Sequence, residues 1–266
     1  MYDNILEEEE DFHNCWAHSI DIEKVMVDEF FEACTSAENR VILKHIGDIK
    51  GKKILELGCG AGEASVYFAK KGAEVTATDI SQGMLMVVEK VAARHGVRVD
   101  TRRCFSDRLE FADEIYDIVY AANLLHHVDI ERTLIEAKRV LKKGGIFVSW
   151  DPLAHNPVIN LYRKKAKKVR TEHEHPLQMK DIRLFKKHFA WVKTEAAWLL
   201  TLWIFVSFYL FEKTDPNQER YWKKILVDHK RLEKTYHRLK RIDDVILKLF
   251  PFMKRYCWNI VIFATK

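Results

Sequence analysis

A run of nine residues restricts the fold of this chain more than any other feature. Residues 54–62 read Ile-Leu-Glu-Leu-Gly-Cys-Gly-Ala-Gly, an apolar segment that leads directly into glycine at every second position. Because glycine has no Cβ, the backbone at Gly58 and Gly60 can approach a ligand closely. The helical pattern that starts at Glu63 adds unpaired backbone N–H groups beside the loop. We therefore predict a strand, a ligand-binding loop and a helix in succession.

Short apolar segments alternate with helical patterns on both sides of this loop. We predict five strands in the first part of the chain, at 53–57, 73–78, 97–105, 116–122 and 145–150. Predicted helices separate them, at 63–71, 81–95 and 130–142. Strands that are separated by helices of this length are typical of a parallel, doubly wound sheet.

The remainder of the chain is predicted from the same kinds of pattern. A helical pattern extends over 20–45, before the first strand. After Asp151 we predict a helix at 177–189, a strand at 191–199, a long basic helix at 218–249 and a final strand at 258–263. A length of 266 residues, 48% of them hydrophobic, fits one large α/β domain with a cap.

Asp79 makes the glycine loop more specific. It ends the strand after the loop, 21 residues beyond Gly58, where a carboxylate can accept hydrogen bonds from both hydroxyls of a ribose. The loop differs from the Gly-x-Gly-x-x-Gly pattern of dinucleotide-binding proteins, because its glycines alternate evenly and Glu56 precedes them. It also lacks the Gly-Lys-Ser/Thr of a phosphate-binding P-loop.

The loop and the segments around it resemble motif I and its neighbours in class I S-adenosylmethionine-dependent methyltransferases. The resemblance extends from about residue 50 to 151 and includes Asp79, the segment Ser81–Leu85, the stretches 111–128 and 140–148, and the glycine loop. Within the class, the chain is most similar to the small-molecule methyltransferases of ubiquinone and menaquinone biosynthesis. The resemblance implies a mostly parallel, seven-stranded sheet with an antiparallel last strand and a helical cap.

The resemblance also implies a set of cofactor-binding residues. S-adenosylmethionine would contact the loop backbone through its methionine part, and S-adenosylhomocysteine would be the product. The implied contacts are Glu56 for the loop or the amino group, Gly58, Gly60, Asp79 for the ribose, Ile80 and Ser106 for the adenine, Asn123 near the sulfonium, and Trp16 in a covering helix. Ordinary packing is an equal alternative for Trp16. The family often has an acidic residue where this chain has Phe105, so either Asp107 replaces it or packing and backbone hold the adenine.

His126 and His127 are the predicted catalytic residues. They follow the fourth strand, where an acceptor would lie, and the ordinary pKa of histidine suits a general base. Some related methyltransferases use a histidine at about this place, which favours His126. In the alternative interpretation, one histidine caps a helix and the other packs inside the protein.

A metal site is not predicted. His155, His173, His175, Glu172 and Glu174 carry metal-ligand atoms, but no pair has helical ligand spacing with a supporting third ligand. Five widely spaced cysteines fit a reducing compartment better than a disulfide framework. The acidic start of the chain has no apolar signal core, so we expect a cytoplasmic protein.

The segment before the last strand is the unusual part of the sequence. Residues 1–150 carry a net charge of −8 and residues 151–266 a net charge of +13. Residues 196–211 contain no charged side chain, yet 16 residues are short for a membrane-spanning helix, which needs about 20. We expect a strand followed by a buried helix here. The stretch 196–256 could also form a lid over a greasy substrate or contact an anionic membrane; its alternative is a solvated basic surface.

These features predict four regions: an N-terminal helical cap (1–50), the methyltransferase core (51–200), a basic and aromatic helical insertion (201–256) and the final core strand (257–266). The predicted reaction is methyl transfer to a small hydrophobic or amphiphilic acceptor with an anionic feature, with O-methylation ahead of C- or N-methylation. One alternative is a nucleic-acid methyltransferase, although the sequence lacks an Asn-Pro-Pro-Tyr type of motif. The other is a non-catalytic, cofactor-binding protein at a membrane. The sequence leaves the oligomeric state open.

Overall fold

A seven-stranded sheet forms the centre of the computed structural model, which describes residues 2–166 and 174–266. The strands are β1 (Lys53–Leu57), β2 (Glu74–Asp79), β3 (Asp100–Arg103), β4 (Tyr116–Ala122), β5 (Leu141–Pro152), β6 (Trp191–Ala197) and β7 (Asn259–Thr265). Their order is β3-β2-β1-β4-β5-β7-β6, and β7 runs antiparallel to both of its neighbours while the other pairs are parallel. The predicted fold class is confirmed.

The central strand β1 is apolar because helices cover both faces of the sheet. Ile54 packs with one buried cluster and Leu55 and Leu57 with another, and none of the three is exposed to solvent. The helices that follow the strands are α4 (Glu63–Lys70), α5 (Gln82–Arg94), α6 (Ile130–Val140), α7 (Pro157–Lys165) and α8 (Ile182–His188).

The first fifty residues form separate helices rather than one. They are α1 (Tyr2–His18), α2 (Val27–Glu32) and α3 (Ala37–Ile46), with a short 3-10 helix at Ile22–Lys24. The predicted helical pattern over 20–45 therefore forms separate helices, and the prediction that it is continuous was wrong. Ser36 donates a hydrogen bond to the carbonyl of Phe30, and such side-chain bonds to the backbone compete with helix hydrogen bonding between α2 and α3.

Three α-helices lie between β6 and β7, namely α9 (Trp203–Leu210), α10 (Tyr221–Val227) and α11 (His229–Leu249). The predicted helix over 218–249 is thus divided at Asp228. Ile204, Phe205 and Phe208 of α9 are buried in a cluster that includes Ala33 and Ala37, so this insertion packs against the N-terminal helices. The division into four regions stays a prediction.

Two strand boundaries were also predicted too widely. The third strand extends over Asp100–Arg103 rather than 97–105, because Val97 and Val99 pack against the buried clusters before pairing with β2 begins. The sixth strand ends at Ala197 rather than 199, because Trp198 has a positive φ of 70° and leaves the sheet.

Candidate functional site

The glycine loop turns sharply at the carboxyl end of β1. Gly58, Gly60 and Gly62 all have positive φ, the region that favours glycine. Asp79, at the end of β2, holds the loop from the neighbouring strand: its Oδ2 accepts a hydrogen bond from the Gly60 N–H at 3.0 Å and its Oδ1 one from the Ser81 N–H at 2.9 Å. The loop and this carboxylate therefore form one unit.

A cavity opens above this unit, and we call it the first cavity. Nine of the ten predicted site residues line it, namely Trp16, Glu56, Gly58, Gly60, Asp79, Ile80, Ser106, Asn123 and His127. Phe105 and Asp107 line it as well, so the position where the family often has an acid and the candidate that could replace it both face the same space. His126 is the predicted residue that lies outside this cavity.

Two buried carboxyl groups give the first cavity its electrostatic character. Burial raises the pKa of Glu56 to about 8, and Ser65 donates a hydrogen bond to its carboxyl group. Burial also raises the pKa of Asp79. The nearby His13 and the backbone hydrogen bonds that Asp79 accepts partly oppose this rise. A cation or a hydroxyl donor that approaches such a buried carboxyl group stabilises its ionised form.

Asn123 occupies a turn just after β4. Its φ of 53° lies in the left-handed region, where asparagine is more common than most residues. The Asn123 N–H donates to the Trp150 carbonyl of β5 at 2.9 Å. This bond fixes the start of the segment that contains both histidines.

A second cavity adjoins the first. The two share the side chains of His13, Trp16, Asn123, His127 and Trp222. The other residues of the second cavity are Phe12, His126, Trp150, Pro152, Ile159, Tyr162, Arg163, Glu174, Arg220 and Trp258. The walls are therefore largely aromatic, with a few charged groups, and the predicted base His126 belongs to this space.

His126 pairs with Asp151 at the end of β5. The imidazole Nδ1 lies 2.8 Å from Asp151 Oδ1, and both side chains are buried. Burial raises the pKa of Asp151 well above its usual range, although backbone hydrogen bonds from His126 and Leu125 partly oppose it. A carboxyl group at Nδ1 orients an imidazole for proton transfer at its other nitrogen.

His127 contacts the first helix instead. Its Nδ1 lies 3.3 Å from Oε1 of the buried Glu9, whose Oε2 is 3.6 Å from Nε2 of His13. Helix α1 therefore supplies two polar side chains to the site in addition to Trp16.

Part of the group that the sequence analysis considered for metal binding lies near these histidines. His173 and Glu172 lie outside the described residues. Glu174, His126 and His127 each offer a ligand atom, and these atoms lie within 4.8 Å of one another. Nδ1 of each histidine faces a carboxyl group. The absence of a metal site stays a prediction.

Five residues of the site were not predicted from the sequence, namely Asp151, Glu9, His13, Arg220 and Trp222. Asp151 could have been predicted, because it directly follows a predicted parallel strand. The carboxyl ends of parallel strands lie at the same edge of the sheet, where ligands bind. Glu9 and His13 come from α1, Trp222 from α10 and Arg220 from the position before α10. No motif around these residues specifies their position in the site.

Comparison with known protein families supports the resemblance. Residues 55–149 match the family model of a methyltransferase domain. The ubiquinone biosynthesis O-methyltransferase of Azorhizobium caulinodans is 33% identical over 116 residues, covering 41% of this chain and 46% of that protein. The protein of the same name from Photobacterium profundum is 35% identical over 111 residues, covering 41% and 47%. The chain thus spans about half the length of these curated relatives.

Solved structures share the fold over more of the chain. The YcgJ protein of Bacillus subtilis aligns with a TM-score of 0.56 at 19% identity, covering 85% of this chain and 97% of that one. Phosphoethanolamine N-methyltransferase 2 of Haemonchus contortus, in complex with S-adenosyl-L-methionine, aligns with a TM-score of 0.58 at 21% identity, covering 90% and 54%. Because both structures are less than 25% identical to this chain, the likeness shows only that the chain has the same fold.

Proposed function

The chain carries a class I S-adenosylmethionine-dependent methyltransferase domain, and on this premise we propose that it methylates a hydroxyl group of a small hydrophobic or amphiphilic acceptor. The observation that carries the proposal is the buried pair of His126 and Asp151 beside the first cavity. It places a candidate base next to the space that suits the cofactor. C- and N-methylation rank below O-methylation, because the pair of His126 and Asp151 gives them less specific support.

The residues of the first cavity fit S-adenosylmethionine. The glycine loop leaves room for its methionine part, Glu56 suits the amino group, and Asp79 suits the ribose hydroxyls. Ile80 and Ser106 are assigned to the adenine and Asn123 to the region of the sulfonium. Trp16 is assigned to the helix that covers the cofactor. Ser106 Oγ lies 3.1 Å from Thr133 Oγ1, and this contact orients the Ser106 hydroxyl. When bound, the cofactor supplies an electrophilic methyl group on a positively charged sulfur.

The chain's own contribution to the reaction is orientation and proton transfer. His126 Nε2 takes the proton of the acceptor hydroxyl, and Asp151 keeps Nδ1 oriented. The imidazolium that forms favours the ionised form of Asp151, which stabilises it in turn. The deprotonated oxygen would then bond to the methyl group as the sulfur–methyl bond breaks, and the sulfur would keep that bond's electron pair in S-adenosylhomocysteine. The aromatic walls of the second cavity position an apolar acceptor and exclude water.

We also propose that the insertion contacts an anionic membrane surface. Among the described residues, no helix is long and apolar enough to cross a bilayer. Large apolar side chains are nevertheless exposed near the ends of α9 and α11, including Phe211 (72%), Leu249 (66%) and Phe252 (65%). The exposed cations Lys213, Lys248 and Arg255 lie close to them in sequence. Apolar and basic side chains together favour attachment to anionic lipid.

Calorimetric titration with S-adenosylmethionine and S-adenosylhomocysteine tests the cofactor assignment. We expect both to bind, and we expect Asp79→Ala to weaken binding at least tenfold. Asp100→Ala, which removes an exposed carboxylate from the neighbouring strand β3, should leave the affinity unchanged. Folded protein that binds neither compound would contradict the proposed function, and so would an unchanged dissociation constant for Asp79→Ala.

A further inference from the structure

Arg220 brings a positive charge into the second cavity. It is the residue that precedes α10, and its guanidinium lies 4.0 Å from the ring centroid of Trp16, over the indole face. Trp16 lines both cavities. The cation–π contact thus holds the guanidinium beside the boundary between the two spaces and restricts its motion.

The structure gives this cation no carboxylate partner among the described residues. Burial lowers the pKa of Arg220, and the neighbouring group that opposes this effect is the phenol of Tyr162. Lys223, one turn further along α10, lies 5.7 Å from the same indole ring, and burial lowers its pKa as well. Burying a cation without a counter-charge is unfavourable, so an anion that entered the cavity would relieve this cost.

The charges on the wall of the second cavity support the same conclusion. Among the described residues, and apart from the histidines, the charged side chains that line it are Arg163, Glu174 and Arg220. These three side chains together carry one net positive charge. The remaining wall is mainly aromatic and includes Trp150, Trp222 and Trp258.

We propose that Arg220 is a specificity residue that binds an oxyanion, a carboxylate or a phosphate, carried by a planar apolar acceptor. The guanidinium offers a fork of N–H donors that matches the geometry of either group. The aromatic walls accept the planar body, and His126 faces the same space. The inference rests on the proposed function, because it takes the second cavity to be the acceptor site.

Matched probes test this inference without knowledge of the natural acceptor. Binding of 3,4-dihydroxybenzoate, phenyl phosphate and neutral catechol is measured by calorimetry, with and without saturating S-adenosylhomocysteine. We expect at least one charged probe to bind at least tenfold more tightly than catechol. The charged probe with the higher affinity shows whether the site prefers a carboxylate or a phosphate. Arg220→Gln should remove this preference, and Arg220→Lys should retain part of it.

The control is Arg238→Gln, which makes the same chemical change on the exposed surface of α11 and should alter nothing. Equal losses for charged and neutral probes in Arg220→Gln would overturn the inference. So would a loss of S-adenosylhomocysteine affinity alone, which would assign Arg220 to the carboxylate of the cofactor.

The two proposals fail in different ways. If S-adenosylhomocysteine binds and catechol is methylated, but charged probes have no advantage, the inference about Arg220 fails and the proposed function stands. If S-adenosylhomocysteine does not bind, the proposed function fails. The titrations without it still decide whether Arg220 selects an oxyanion.

Discussion

His126 Nδ1 lies 2.8 Å from Asp151 Oδ1. His126 lies four residues beyond β4, and Asp151 lies near the end of the neighbouring parallel strand β5. Asp151 has no exposed surface, and its second oxygen has no hydrogen-bond partner among the described residues. Burial of a carboxyl group is costly to the fold even where hydrogen bonds partly offset the cost. A buried pair of this kind beside a cavity fits the proposed role of a catalytic base and its partner.

Asp151→Asn should lower turnover by about 100-fold or more, because the amide cannot stabilise an imidazolium on His126. The affinity for S-adenosylmethionine should stay within about twofold, since Asp151 does not line the first cavity. His126→Gln should have the same pair of effects. Steady-state kinetics and calorimetry measure both quantities.

Ser149→Ala is the control for this experiment. It removes another buried hydrogen-bonding group from the same face of β5, two residues earlier, and should leave turnover unchanged. Full activity in His126→Gln would exclude His126 as the base.

Gly62→Ala should destabilise the protein more than a change at another glycine of similar backbone conformation. A Cβ at Gly62 would lie 2.9 Å from Cγ2 of Val88, which is fully buried and stiff. Gly96 has a φ of 65° with no atom within 4 Å of the added Cβ, so Gly96→Ala measures the backbone strain alone. We expect Gly62→Ala to cost about 1–3 kcal/mol more in the free energy of unfolding. Equal losses in urea titrations would show that Val88 can move aside.

Glu56→Gln should change how stability depends on pH. The folded protein holds the pKa of Glu56 at about 8, above the ordinary value of 4.5, so the folded state binds this proton more tightly than the unfolded state. The contribution of Glu56 is therefore present at low pH and is lost as the pH rises from about 4.5 to about 8. The stability of the variant relative to wild type should rise over this range, by on the order of 1 kcal/mol per pH unit.

Urea unfolding at several pH values, without cofactor, checks this prediction. Glu74→Gln at the exposed start of β2 is the matched control, and its stability should run parallel to that of wild type. A parallel curve for Glu56→Gln would show that Glu56 is ionised in the folded protein.

Vesicle sedimentation tests the contact with membranes. We expect binding to vesicles that contain phosphatidylglycerol, weaker binding at high salt, and little binding to pure phosphatidylcholine. A double variant with Phe211→Ser and Phe252→Ser should reduce binding at least fivefold. Met86→Ser removes an exposed apolar side chain from α5 and should have no effect. Equal binding by all three proteins would contradict a role for the insertion.

The core of the fold could be predicted because its signals are local. The apolar strand before Gly58 and the glycine spacing specify a strand and a tight loop through periodicity and backbone freedom alone. The edge strand β3 was less predictable, because its sequence Asp-Thr-Arg-Arg is polar and its limits depend on pairing with β2. The break between α10 and α11 at Asp228 was not predicted, because the sequence on both sides of Asp228 favours helix.

The sequence by itself determined the sheet, the glycine loop and the carboxylate of Asp79, because each follows from residues that are adjacent or one strand apart. Only the tertiary structure decided which distant side chains meet. Asp151 reaches His126 through strand pairing, and Arg220 reaches Trp16 through packing of α10 near α1. Such contacts depend on the burial of whole elements, and no short pattern around either residue encodes the position of the other.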